Sequence, residues 1–199
     1  IKDAEGNDKK INLTRIHMEE DSGKSVHDID PFNTLVDLNR AGIPLLEIVS
    51  EPEIKNGEEA YSYLSEIRKL VRYLEISDGN MEEGSLRADL NISVRKKGAT
   101  KFGTKVEVKN MNSFRNVQKA IDFEIIRQID LIESGEEIHQ ETRTYAAAKN
   151  ITIGLRSKED EHDYRYFPDP DLLPLELDDA FLAECRTSLP ELPDAKRAR

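Results

Sequence analysis

The stretch Asp78–Arg95, DGNMEEGSLRADLNISVR, decides how this chain is read. In its second half Leu86, Ala88, Leu90, Ile92 and Val94 alternate with Ser85, Arg87, Asp89, Asn91, Ser93 and Arg95. That is the period of a strand buried on one face. A solvated sheet face usually carries Thr, Lys and Glu, whereas here Arg, Asp and Asn line up as if to meet a ligand. The expected element is a half-buried strand with one packed face and one polar face of mixed charge.

The flanking sequence supplies partners for such a strand. Lys101–Lys109 predicts a hairpin mate, with Val106 and Val108 on one face and Lys105, Glu107 and Lys109 on the other. A long helix follows, capped at Asn112/Ser113 and stopped at Ser134-Gly135. Its apolar stripe Phe114, Val117, Ile121, Ile125, Ile129 and Ile132 is expected to be core. Gln140–Tyr145 and Ile151–Leu155 read as two more strands and Arg156–Asp163 as a charged link. The proline-rich run Tyr164–Leu175 reads as an extended strap, and a last helix starts at Asp178. Upstream, Glu58–Leu74 is an amphipathic helix. Ile11–Met18 is a strand with an irregularity near Arg15, Thr34–Asp37 and Leu45–Val49 are short strands, the stretch 21–33, DSGKSVHDIDPFN, is turn chemistry, and residues 1–10 are a hairpin turn or a loose end.

The chain has 199 residues, 37% hydrophobic and 35% charged, with no tryptophan and a formal charge of −11. An acidic balance argues against a general nucleic-acid binder. The charge is uneven, however: Arg95, Lys96, Lys97, Lys101, Lys105, Lys109, Arg115 and Lys119 face a single acid, Glu107, within Arg95–Lys119. A local site for an anion is therefore compatible with the acidic whole. The lone Cys185 excludes an internal disulfide or a zinc cluster and fits a reducing compartment. No apolar run reaches membrane-spanning length and no signal peptide is visible. The chain begins at Ile1 and runs out in KRAR, which reads as a piece of a longer protein.

Familiar nucleotide and hydrolase motifs are missing. Gly23-Lys24-Ser25 suggests a phosphate-cradling loop, but the position that must be glycine is Met18. His17, His27, His139 and His162 show no zinc spacing. What remains is a set of oxygen ligands on strands: Glu19 and Glu20 in the run Glu19–Asp21, Asp89, and Glu107 among lysines. Such donors suit Mg²⁺, with Arg87, Lys105 and Lys109 nearby for phosphate. The plainer readings stay open: a solvated turn for Glu19–Asp21, and for Glu107 a surface salt-bridge ladder worth about 0–1 kcal/mol. Asp89 stands apart, because a short carboxylate in a strand has weak β-propensity and needs compensation.

Five blocks resemble one family. They are RIHMEEDSGKSVHD, LNRAGIPLLEIVSEPEI, SDGNMEEGSLRADLNISVR, FGTKVEVKNMNSFRNVQKAIDFEIIRQ and DYRYFPDPDLLPL, in the order found in the B subunits of aspartyl/glutamyl-tRNA amidotransferases, the GatB family. The resemblance implies an α+β fold, an antiparallel sheet flanked by helices like the glutamine-synthetase type of carboxylate-amine ligase. Residues 1–177 would be part of the catalytic cradle domain and 178–199 the start of a helical domain. It further implies a ligase that uses ATP and Mg²⁺ to phosphorylate the side-chain carboxylate of glutamate or aspartate misacylated on tRNA(Gln) or tRNA(Asn). Ammonia, released from glutamine by a partner amidase subunit, then displaces the phosphate, and a small clasp subunit joins the two. By resemblance Glu20, with Glu19 and Glu107, would hold Mg²⁺ and Asp89 would join that shell. Arg87, Lys105 and Lys109 would face phosphate, and Asn91 and Ser93 the ammonia route. The family's N-terminal strand, with a Glu and a His of the same metal site, is not in this sequence, so the piece alone is expected to be inactive. The expected compartment is the bacterial cytoplasm, or an organelle. A tRNA-binding scaffold without catalysis and a metal-dependent phosphatase or nuclease are the alternative readings.

Overall fold

A computed structural model describes residues 1–3, 5–27, 29–157 and 173–199. These divide into two compact units, Ile1–Lys55 and Asn56–Arg199. The proline-rich strap lies outside the described residues as far as residue 172.

In the first unit, β1 (Leu13–Glu20) pairs antiparallel with β4 (Pro44–Ser50), and β2 (Lys24–Val26) with β3 (Leu35–Asp37). The register shifts between Leu13 and Arg15, the irregularity expected near Arg15. The first ten residues form a turn closed by the Lys2–Asp8 bridge and a 2.9 Å bond from the Lys9 amide to the Ile1 carbonyl. β1 is exposed along its whole length.

The second unit is built on α2 (Phe114–Ser134) packed against a four-stranded sheet in the order β5 (Leu90–Ile92), β6 (Val106–Lys109), β7 (Glu141–Ala146), β8 (Ile151–Ser157). β5–β6 and β7–β8 are antiparallel, but β6–β7 is parallel. The architecture is thus α+β as expected, with a mixed sheet in place of the expected antiparallel one. The reason is connectivity: β6 and β7 are joined through α2, and a helical crossover returns the chain in the same direction. Ser113 caps α2, its Oγ accepting from the Asn116 amide at 3.2 Å, and Gly135 ends it at φ 80°.

α1 (Gly57–Tyr73) lies against α2. Asn56 caps it, Oδ1 accepting from the Glu59 amide at 2.8 Å. Gly57 is needed for the approach: a Cβ there would sit 2.4 Å from the Gln118 carbonyl oxygen, while the Gly57 amide donates to Asp122 Oδ1 at 3.1 Å. Two short helices, α3 (Asp179–Ser188) and α4 (Pro193–Ala198), follow the strap, α3 capped by Asp178.

Ile92, Val106, Val108, Val117, Ala120, Ile121 and Tyr145 are buried between α2 and the sheet. The second half of the predicted stripe is not core: Ile125 is half-buried and Ile129 is 40% exposed. Glu124 and Gln128, both fully buried, take that place. Gln128 Nε2 donates to the Ile92 carbonyl at 3.2 Å and to Glu124 Oε1 at 3.0 Å, and its Oε1 accepts from the Val94 amide at 3.2 Å. Glu124 also accepts from Arg127 and, at 2.8 Å, from Thr152 Oγ1, while Arg143 lies 3.6 Å away and donates to Glu141 at 2.6 Å. A buried polar cluster is tolerated when each member finds a partner.

That cluster also accounts for the length of β5. The alternation predicts a strand over 85–95, whereas the ladder covers only Leu90–Ile92. Before it, the Ser85 and Leu86 amides turn back to the Asn80 carbonyl at 2.9 and 3.3 Å. After it, Gln128 occupies the backbone groups of Ile92 and Val94.

Candidate functional site

Cross-strand register builds a polar face on the side of the sheet away from α2. Asn91 lies opposite Glu107, Glu107 opposite Thr142, and Lys109 opposite Thr144. Because alternate residues project to opposite faces, the buried Ile92, Val106 and Val108 force Asn91, Glu107 and Lys109 onto this one. Asp89, just before β5, completes it: Lys109 Nζ lies 3.3 Å from Asp89 Oδ2 and 3.3 Å from Glu107 Oε1.

Asp89, Glu107 and Lys109 thus come together as their sequence pattern predicts, and the structure shows how they are held. The Glu107 side chain is only 13% exposed, and its Oε2 accepts from Thr142 Oγ1 at 2.9 Å. Thr142 is buried, and sequence reasoning missed it; the signal was the alternation Thr142, Thr144 in β7. Partial burial disfavours the charge on Lys109, but the Asp89 and Glu107 carboxylates outweigh it and raise its pKa above the ordinary lysine value. The ammonium is therefore retained throughout the neutral range.

Of the other predicted residues, Arg87, Asn91 and Lys105 are exposed and Ser93 is half-buried just past the end of β5. Leu86, Ala88 and Leu90 are half-buried while Arg87 and Asp89 are exposed, so the two-sided character outlasts the ladder. Glu19 and Glu20 belong to the first unit, on β1 opposite Leu45 and Pro44, and both are exposed. As consecutive strand residues they point to opposite faces. Their neighbour Asp21 is committed to Arg40, which donates from Nε at 2.7 Å.

Among the described residues no three His, Cys, Asp or Glu side chains converge as a protein-only metal centre requires. Asp89 and Glu107 nonetheless fit Mg²⁺ in kind. The ion favours oxygen donors and is commonly held by one or two carboxylates completed by water and phosphate. Where β6 turns into α2, a cleft of about 580 Å³ is lined by residues including Arg68, Asn80, Asn112, Ser113 and Arg115. Arg68 Nε is buried there, without a hydrogen-bond partner among the described residues. Among the described residues no helix is long and apolar enough to cross a membrane.

A two-sided sheet with carboxylates and cations gathered on its polar face is the kind of surface a catalytic domain can present. The chain belongs to the GatB/GatE catalytic domain family, matching its model over residues 1–183. It is 58% identical over 194 residues to the B subunit of the aspartyl/glutamyl-tRNA(Asn/Gln) amidotransferase of Oleidesulfovibrio alaskensis, covering 98% of this chain and 41% of that protein. The B subunits from Alkalilimnicola ehrlichii (60% identity, 98% and 41%) and Pelagibacter ubique (55%, 100% and 40%) are similar to the same extent. The chain thus spans about 40% of the length of these relatives.

Proposed function

We propose that this chain is the catalytic part of a tRNA-dependent amidotransferase B subunit and that the polar face of β5–β7 handles the acyl-phosphate step. The observation that carries the reading is Lys109 held between Asp89 and Glu107 on the polar face of a sheet in this family. A carboxylate is a poor electrophile. One oxygen of the substrate's side-chain carboxylate attacks the γ-phosphorus of ATP, ADP leaves, and the acyl phosphate results. Ammonia nitrogen then attacks the carbonyl carbon, inorganic phosphate departs and a proton is lost, giving the amide.

The residues have distinct parts in this scheme. Asp89 and Glu107 would hold Mg²⁺, which when bound offsets phosphate charge. Glu20 or Glu19, which face opposite ways on β1, is proposed as a metal-binding residue on the family resemblance alone. Lys109, Lys105 and Arg87 bind and orient phosphate oxygens, where positioning and charge neutralisation supply most of the catalysis. Asn91 and Ser93 offer polar groups for the ammonia and the departing proton. The cleft beside α2 has the volume of a small-molecule site, with room for a nucleotide. The partners in this reading are a glutamine-hydrolysing amidase subunit and a small subunit that clasps it, with misacylated glutamyl-tRNA(Gln) or aspartyl-tRNA(Asn) as substrate.

The test uses the full-length protein with its partners, supplied with glutamyl-tRNA and free ammonia so that glutamine hydrolysis cannot limit. Glu20→Gln, Asp89→Asn and Glu107→Gln should each abolish ATP cleavage and amide formation together while tRNA binding persists. Amidation at the wild-type rate in all three would leave a non-catalytic, tRNA-binding scaffold as the better reading.

A further inference from the structure

Lys105 apart, the basic cluster that runs from Arg95 to Lys105 is not absorbed by the scheme above. Residues 95–105, RKKGATKFGTK, carry Arg95, Lys96, Lys97, Lys101 and Lys105 with no acid, in a chain of net charge −11. They form the connection between β5 and β6, and all five cations are exposed. The connection has a built shape. The Arg95 guanidinium lies over the Phe102 ring at 4.6 Å and donates to the Thr100 carbonyl at 3.0 Å. The Ala99 amide returns to the Lys96 carbonyl at 3.0 Å, and Gly98 takes φ 88°. Gly103 lets the two arms close, since a Cβ there would sit 2.1 Å from the Val94 oxygen. Lys96, Lys97 and Lys101 form no ion pair among the described residues, in contrast to Lys109.

We infer that this β5–β6 connection is an RNA-backbone docking arm, its lysines meeting phosphates of the tRNA substrate; this rests on the tRNA reading given above. The chemistry separates RNA from a protein partner. A protein interface needs a desolvated apolar centre and is poor in lysine. Here the sole large apolar side chain is Phe102, 59% exposed, with Arg95 over its ring. Phosphate contacts instead take flexible cationic side chains that position the nucleic acid without reading its bases. The acidic remainder of the chain repels RNA, so a lone basic arm orients as well as attracts it.

The experiment is tRNA binding by the complete assembly across a range of salt concentrations, for wild type, for Lys96→Gln/Lys97→Gln/Lys101→Gln, and for a control with equal charge change, Lys10→Gln/Lys24→Gln/Lys149→Gln. If each arm lysine meets one phosphate, the slope of log K on log salt should fall in magnitude by about 2–3, and affinity in about 0.1 M salt by about 100-fold. The control should change neither. In amidation, KM for tRNA should rise with kcat at saturating tRNA unchanged. An unchanged slope and KM would overturn the inference, as would loss of complex assembly with RNA affinity intact, which would make the arm a protein-docking element. Wild type that shows the steep slope but makes no amide would leave the arm standing and refute the amidotransferase reading. Wild type that binds no tRNA would refute both.

Discussion

Gln128 is where a single substitution tests the packing argument most directly. Gln128→Leu nearly conserves volume in a fully buried site, so cavity formation contributes little. What changes is hydrogen bonding: the Ile92 carbonyl and the Val94 amide, now 3.2 Å from the Gln128 amide group, lose their partner and cannot themselves be replaced by apolar groups. At roughly 1–2 kcal/mol for each orphaned backbone group, the expected loss is about 2–4 kcal/mol. Glu124 keeps Arg127 and Thr152 and adds little to that figure.

Gln128→Glu makes the argument pH-dependent. The new carboxyl would stand where Nε2 now lies, 3.0 Å from Glu124 Oε1, with Arg127 and Arg143 already committed to Glu124 and Glu141. Two carboxylates in contact do not both ionise, so the folded state holds a proton and the pair's folded pKa is raised above the unfolded value of about 4.3. The folded state then binds more protons than the unfolded state. Stability is therefore full below about pH 4.3 and falls as pH rises toward the folded pKa, by up to about 1.4 kcal/mol per pH unit. Urea unfolding followed by far-ultraviolet circular dichroism at about pH 5 and about pH 8 reads both effects, and hydrogen exchange over residues 90–95 reads the local one. A Gln128→Leu protein within about 0.5 kcal/mol of wild type, together with a pH-independent Gln128→Glu protein, would refute the account of β5 as a strand held by a helix side chain.

Three further outcomes are expected. Gly57→Ala should destabilise by about 1–3 kcal/mol in denaturant titration, because its Cβ would meet the Gln118 oxygen at 2.4 Å and force α1 from α2. Thr142→Val keeps shape but removes the hydroxyl donor to Glu107 Oε2; on the proposed amidotransferase reading it should, in the full assembly, raise the Mg²⁺ concentration needed for half-maximal amidation several-fold, with little change in tRNA affinity. Lys109, whose folded pKa is raised, contributes stability that is complete below the unfolded value of about 10.4 and is lost as pH rises through the folded pKa. The stability difference between wild type and Lys109→Met should accordingly be flat from about pH 7 to about pH 9.5 and shrink only beyond about pH 10.5.

Local chemistry made much of this legible in the sequence. Ser113 and Gly135 bound α2 because a side-chain acceptor and a left-handed residue act on their own turn of backbone. Asp89, Glu107 and Lys109 could be assigned to one polar face because the period of a strand is two, so sorting by parity needs no partner. The acids Glu19 and Glu20 illustrate the limit. Parity separates them onto opposite faces of β1, which is visible only once β1 is known to run through both.

Interactions within a few residues were enough to specify most of the elements and the two-sided character of Leu86–Val94, but not β2 (Lys24–Val26), where turn-forming residues pair with β3. Long-range packing set the rest. It made β6 and β7 parallel, because the path of α2 sets the direction of return. It cut β5 to Leu90–Ile92, because Gln128 occupies the backbone that a longer ladder would use. It also buried Glu124 and Gln128 where apolar spacing pointed to Ile125 and Ile129. A polar side chain can take a core position only when its partners arrive from elsewhere in the chain, and no local pattern records that Ile92, Val94, Arg143 and Thr152 will be there.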